Sequence, residues 1–320
     1  MKSLNITEDK ITLILEINPS EYDLMSPVQS EAEEMIKKSS EGKLVQVIMT
    51  AHSSEEKQPS APVGPPPNIK SPAVQKKGPP AKSNPDGVKQ VIAIASGKGG
   101  VGKSTVAVNL AFALQNLDLK IGILDADVYG PSLPKLMGIN EKPKSDDGKA
   151  ITPVTKYGAQ CMSMGLLVDE LTPMIWRGPM VISAIKTMTQ KVLWKDRDII
   201  IIDMPPGTGD TQLTFAQEVK VDGAVIVSTP QDLALLDVKR GIQMFDKTGV
   251  EILGLINNMS YFKGDDGKEY KIFGESGVEK TAKEFNKEFL GHLPIHQDLR
   301  DSSDKGKPLT YSQPDHEVSK

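Results

Sequence analysis

The stretch Val91–Gln115, VIAIASGKGGVGKSTVAVNLAFALQ, carries three signals in one run. Val91–Ser96 is short, continuous and apolar, as a strand buried on both faces of a parallel sheet should be. Gly97–Ser104, GKGGVGKS, is a glycine, four residues and Gly-Lys-Ser, the spacing of a P-loop. Thr105–Gln115 then continues with helical periodicity. The chemistry explains the residue types. Glycines let the backbone wrap with its amides inward, and the amino terminus of the following helix adds partial positive charge where phosphates sit. Lys103 neutralises β and γ phosphates, and Ser104 is placed to ligate Mg2+. The expected contacts with ATP are Gly97, Lys98, Gly99, Gly100, Val101, Gly102, Lys103, Ser104 and Thr105. The competing reading is a bare glycine-rich strand-to-helix turn, and the complete motif with both flanks argues against it.

Outward from this stretch the same pattern repeats. QVIAIAS, KIGILDAD, RDIIIIDMPP, GAVIVSTP and VEILGLINN are short Ile- and Val-rich runs that end in polar or turn residues, with room between them for crossover helices. They predict a doubly wound, mostly parallel α/β sheet with helices on both faces, from about Lys89 onward. Ligands in such sheets sit beyond the carboxyl ends of the strands, where this chain keeps its polar motifs. Asp203 ends the run IIIID as a Walker B acid that holds Mg2+ through water. Pro205 and Pro206 stiffen the following turn, and Gly207 and Gly209 leave amides to sense a γ-phosphate, as in a switch loop. In ILDADVYGPS, Asp127 is favoured to orient the attacking water, while Asp125 reads either as support for the Mg2+ shell or as a strand cap. Lys98 is a second lysine that the loop does not need for its own phosphates. It is either a solvated loop charge or a group that reaches across a dimer interface to the partner's nucleotide.

Length and composition set the frame. A chain of 320 residues suits one large domain plus something smaller. The net charge of −4 argues against a surface built for nucleic acid. No apolar run reaches the roughly 18 residues of a membrane span, and MKSLNITEDK lacks a signal peptide's apolar stretch, so a cytoplasmic location without membrane attachment is expected. Residues 56–88 hold nine prolines among Ser, Ala and Lys and read as a flexible linker. Residues 1–55 read as a small α+β module of strand, helix and strand, with Ser30 as helix cap and Glu33 three residues on. Residues 89–320 form the main domain.

With SGKGGVGKST, DADVYGPSLPKLMG, MIWRGPMV, IIDMPPGTGD and NNMSYF...IFG in this order, the chain closely resembles the Mrp or ApbC family of P-loop ATPases. These are iron-sulfur cluster carriers in the deviant Walker A class that includes the MinD and ParA proteins. The resemblance runs from about Lys89 to LPIHQDLRDSSDKGKPL. It implies a slowly hydrolysing, Mg2+-dependent homodimer with Lys98 as the signature lysine and Asp127 as the water-positioning acid. It also implies apo iron-sulfur proteins and assembly scaffolds as partners. Asn258 becomes either an adenine reader, since a side-chain amide both donates and accepts, or a strand-end turn residue. Trp176 and Arg177 fall in a family-like segment as interface or packing residues. The N-terminal module resembles the cluster-assembly domain that often precedes this ATPase, without its leading helix and acidic motif.

One departure stands out. After NMSYF the resembled family usually carries Cys-x-x-Cys, so that two subunits offer four thiolates to a bridging cluster. Here the residues are Lys263, Gly264, Asp265, Asp266 and Gly267, so an iron-sulfur cluster is implied by resemblance while its ligands are not found. Cys161, the single cysteine, lies in an apolar run and reads as a core residue. Asp265 and Asp266 read as turn residues or as ligands for a hard cation. A positioning or partitioning ATPase of the MinD or ParA kind is the alternative function. The polar tail LTYSQPDHEVSK offers it no membrane anchor, and the acidic balance weakens a DNA role. A regulatory scaffold would be expected to lose the switch acids, which are present.

Overall fold

A computed structural model of the chain describes residues 3–6, 10–17, 31–32, 35–37, 44–51, 84–145, 150–167, 178–207, 209–275 and 277–320. The chain divides into two compact units, Met1–Lys76 and Lys77–Lys320. In the first, β1 (Ser3–Ile6) pairs antiparallel with β2 (Lys10–Ile17), and β2 runs parallel to β3 (Leu44–Ala51), in register from Lys10↔Leu44 to Ile17↔Ala51. A parallel pair requires a crossover, and residues 31–32 and 35–37 are helical within it. Leu13, Val45 and Val47 are buried. The expected cap, Ser30 and Glu33, lies outside the described residues. The short strand SLNI was not foreseen because four residues carry too little alternation to register.

The second unit is built on an eight-stranded sheet in the order β13-β10-β9-β4-β8-β5-β7-β6. Its strands are β4 (Val88–Ala95), β5 (Ile121–Asp125), β6 (Val154–Lys156), β7 (Ala159–Ser163), β8 (Arg197–Asp203), β9 (Gly223–Ser228), β10 (Ile252–Asn257) and β13 (Phe289–His292). A separate hairpin joins β11 (Phe262–Lys263) and β12 (Glu269–Tyr270). The helices are α1 (Lys103–Gln115), α2 (Leu133–Met137), α3 (Gly178–Gln190), α4 (Asp210–Glu218), α5 (Asp232–Thr248), α6 (Gly277–Glu284), α7 (Gln297–Asp304) and α8 (Leu309–Ser312). The five apolar runs form the contiguous middle of the sheet, all parallel. β7 and β13 extend it in parallel, and β6 closes one edge antiparallel to β7. The first strand begins at Val88, one residue before the expected boundary.

Side chains alternate between the two faces of each strand, and this alternation divides the core. Val91, Ala93, Leu124, Ile200, Ile202, Ala224 and Ile226 join residues of α3, α4, α5 and α6 on one face. Ile94, Ile121, Ile123, Ile201, Val225 and Val227 join residues of α1 and α2 on the other. Burial on both faces is why these strands read as unbroken apolar runs. Trp176 and Arg177 lie outside the described residues. Among the described residues no helix is long and apolar enough to cross a membrane.

Candidate nucleotide site

Strand register assembles the site before any side chain is considered. Ile94 pairs with Asp203, Asp203 pairs with Asp125, and Asp125 pairs with Ser163. Two carboxylates and a hydroxyl therefore stand in a row at the carboxyl edge, next to the loop that leaves β4. That loop needs glycine at two places for different reasons. A Cβ on Gly97 would lie 2.4 Å from Asp237 Cβ, so the loop packs directly on α5. Gly102 has φ +81°, and a Cβ there would meet Asn258 Nδ2 at 2.2 Å. Asn258 Nδ2 in turn donates to the Val101 carbonyl at 2.8 Å, so the amide from the end of β10 braces the P-loop from within.

Lys103 begins α1 and is only 6% exposed. Its ammonium pairs with Asp203 Oδ1 and lies 3.4 Å from Ser104 Oγ. Asp125 is fully buried, and its carboxylate accepts from Asp127 N at 3.0 Å, Ser132 N at 2.9 Å, Leu133 N at 3.1 Å and Ser163 Oγ at 3.1 Å. It thus anchors the start of α2, as the strand-cap reading requires, and stands beside Asp203 in the strand register. Burial, and then the neighbouring Asp203 carboxylate, push its carboxyl up to about 7. Asp127 is half-buried one step further out, where it accepts from Gly130 N at 3.3 Å. Burial raises its carboxyl, against the pull of Lys103.

The site holds two buried carboxylates against one buried lysine. Ser104, Asp203 and Asp125 form an all-oxygen donor set of the kind Mg2+ prefers, and the excess negative charge fits a hard cation. With four protein donors already on Asp125, Asp203 and Ser104 are the residues that would hold the ion.

Lys98 is half-buried, with Nζ 3.4 Å from Gln231 Oε1, which also accepts from Thr229 Oγ1 at 3.0 Å. Gly207 differs from expectation. Its amide donates to the Ser96 carbonyl at 3.0 Å, so it closes the turn on the P-loop strand and is not free to meet a phosphate. Gln212 was missed by sequence reasoning: buried in α4, it donates through Nε2 to Pro205 O at 2.5 Å and to Ser96 O at 3.4 Å. Its position after the diproline turn was the only signal. Ser163 was missed as well, because only strand register brings it to Asp125.

The loop lacking cysteines is an exposed hairpin. Phe262 pairs with Tyr270 and Lys263 with Glu269. Asp266 holds the turn, accepting from Lys268 N at 3.1 Å and Tyr270 OH at 2.9 Å. Gly267, at φ +77°, donates to Gly264 O at 2.9 Å. Cys161 sits fully buried in β7, and burial pushes its thiol up to about 12.

A parallel sheet whose P-loop, buried lysine and strand-end carboxylates converge at one edge defines a P-loop nucleotide-binding protein. A family model described as NUBPL iron-transfer P-loop NTPase matches residues 87–320. The chain is 55% identical over 236 residues to the iron-sulfur protein required for NADH dehydrogenase, mitochondrial, of Arabidopsis thaliana, covering 73% of this chain and 75% of that protein. It is 50% identical over 236 residues to the iron-sulfur cluster carrier protein of Escherichia coli K12, covering 73% of this chain and 64% of that one. A solved nucleotide-binding protein in complex with ADP from Archaeoglobus fulgidus superposes with a TM-score of 0.63 at 38% identity, over 71% of this chain and 90% of that chain. The chain belongs to the NUBPL iron-transfer P-loop NTPase family.

Proposed function

We propose that the chain is a Mg2+-dependent ATPase acting as a nucleotide-switched homodimer in iron-sulfur cluster assembly. Clusters are its cargo, passed among apo iron-sulfur proteins and assembly scaffolds, and its own hairpin holds none on thiolates. One observation carries the ATPase reading: the buried Lys103–Asp203 pair beside buried Asp125 is one positive charge short. A triphosphate on the P-loop amides competes for Lys103, and Asp203 with Ser104 would then hold Mg2+. An ion held there would supply neutralising charge to the phosphates. Asp127 orients the water that attacks the γ phosphorus, the bond to the bridging oxygen breaks, and ADP leaves with that oxygen. Asn258 braces the loop through Nδ2 and offers Oδ1 to the adenine amino group.

Lys98 is the trans element of this reading. Its neighbour Gln231 immediately precedes α5, whose first turns expose Leu233 and Leu236 at 68% and 56%, an apolar surface that a second copy would cover. The test is phosphate release from ATP alongside the mass of the protein in solution. Lys98→Ala should keep nucleotide affinity, lower hydrolysis about 10³-fold and abolish ATP-dependent dimers. Unchanged hydrolysis would remove Lys98 from the reaction.

A further inference from the structure

The nucleotide machinery leaves one group of ligating side chains unused. His296 precedes α7, Asp298 lies in its first turn, and the C-terminal tail brings His316 and Glu317 back beside them. His316 Nε2 is 3.2 Å from Asp298 Oδ2, His296 Nδ1 is 3.8 Å from the same oxygen, and His296 Nε2 is 3.5 Å from Glu317 Oε1. His296, Asp298 and His316 each offer a ligand atom within 4.8 Å of the others, and among the described residues this is the one such group. The imidazoles meet edge to face, with centroids 4.9 Å apart.

Capping accounts for only part of this. His296 Nδ1 accepts from Asp298 N at 3.2 Å, as a helix cap should. A cap needs one ring, and it does not require a second imidazole with two carboxylates around it. Two imidazoles with two carboxylates form a nitrogen and oxygen donor set suited to Zn2+, Co2+ or Fe2+ more than to Mg2+ or Ca2+. We infer that His296, Asp298, His316 and Glu317 bind one divalent transition-metal ion.

The geometry sets the cost. A tetrahedral ion with bonds of about 2.0–2.1 Å holds its donors roughly 3.3 Å apart, so the present separations must shorten. Asp298 and Glu317 side chains are 51% and 60% exposed and have room to turn inward. Both rings accept a backbone amide at Nδ1, from Asp298 N at 3.2 Å and Val318 N at 3.1 Å. In the neutral rings this places the proton on Nε2, facing the carboxylates. Ligation through Nε2 moves that proton to Nδ1 and gives up the two long hydrogen bonds near the surface.

The position gives the site a consequence. Ile295 N donates to Tyr261 O at 2.7 Å, Ile295 bridges to Phe262, and Lys263 Nζ lies 3.6 Å from Glu317 Oε2. The site is therefore at the base of the β11–β12 hairpin, and a bound ion ties the tail, α7 and hairpin base together.

The experiment uses the untagged full chain without nucleotide, in excess Mg2+, titrated with Co2+ and read by calorimetry and by the visible d–d absorption of Co2+. The expected result is one saturable ion per chain, weakened more than about tenfold by His316→Ala and by His296→Ala and unchanged by His52→Ala. Because His296→Ala also removes a helix cap, His316→Ala in the tail is the deciding variant, with circular dichroism to show that it folds. Absence of saturable binding, or binding that His316→Ala leaves unchanged in the folded protein, overturns the site.

Discussion

A lysine buried as deeply as Lys103 must have an anion, and Asp203 provides it, with the two side chains 6% and 4% exposed. Removing one partner of such a pair strands a buried charge, whereas removing both does not. Lys103→Met should therefore lower stability by about 3–5 kcal/mol, as well as abolish nucleotide binding. Lys103→Met with Asp203→Asn should recover most of the stability and none of the binding. Urea denaturation of both variants checks this, and equal destabilisation of the two would mean that the pair contributes little.

Asp125 adds a dependence on pH. Its carboxyl is raised to about 7 from an unfolded value of about 3.9, so between those values the folded chain binds the extra proton. Its contribution to stability is present below the lower value and is lost as pH rises towards 7. A cation beside Asp203 offsets the charge that appears. Stabilisation by Mg2+ with ADP should accordingly grow from pH 6 to pH 8 by more than the nucleotide's own titration explains. Thermal melts of wild type and Asp125→Asn separate the two, since the variant keeps only the nucleotide's share. The same slope in both would remove Asp125 from the cation's surroundings. At this scale the sequence already pointed to Lys103 and Asp203 as one site, because the P-loop and strand-end motifs fix their type and spacing, and the fold pairs them. Gln212 and Ser163 were not legible, because a buried glutamine or serine acquires a role only from the backbone that folding brings to it.

At the scale of elements, the central strands carry stability. Ile201 in β8 is fully buried in the core beneath α1, paired with Ile123 of β5 and Ile92 of β4 on the adjoining strands. Ile201→Ala should cost about 2–5 kcal/mol by denaturant melt while leaving the order of nucleotide affinities unchanged. A cost below 1 kcal/mol would show that the site collapses around the lost atoms. The five central strands were readable because burial on both faces leaves an unbroken apolar signature. β6 and β13 were not, since these edge strands of three and four residues bury one position and none. The hairpin was legible only as a turn. DDG supplies the turn chemistry, and the pairing of Phe262 with Tyr270 became visible only in the fold.

For the whole molecule, the P-loop domain and the hairpin point in different directions. The P-loop, its lysine and the strand-end acids meet at one sheet edge, while the hairpin where the sequence resemblance implies thiolates is held by Asp266, Lys268 and Tyr270. The single cysteine is sealed in the core with its thiol pushed up to about 12, so it supplies no thiolate to a soft metal. The Escherichia coli protein named an iron-sulfur cluster carrier shares 50% of the aligned residues, and identity of that order fixes the fold without fixing ligands in one exposed loop. On the proposed function, this chain keeps the ATP switch and works on clusters held by other proteins. The most direct measurement is anaerobic reconstitution with iron and sulfide, followed by desalting, acid-labile sulfide analysis and visible absorption, with Mg2+-ATPase activity assayed on the same sample. The expected result is ATP hydrolysis with no stoichiometric sulfide. A stable sulfide-bridged cluster that persists in Cys161→Ala would contradict it.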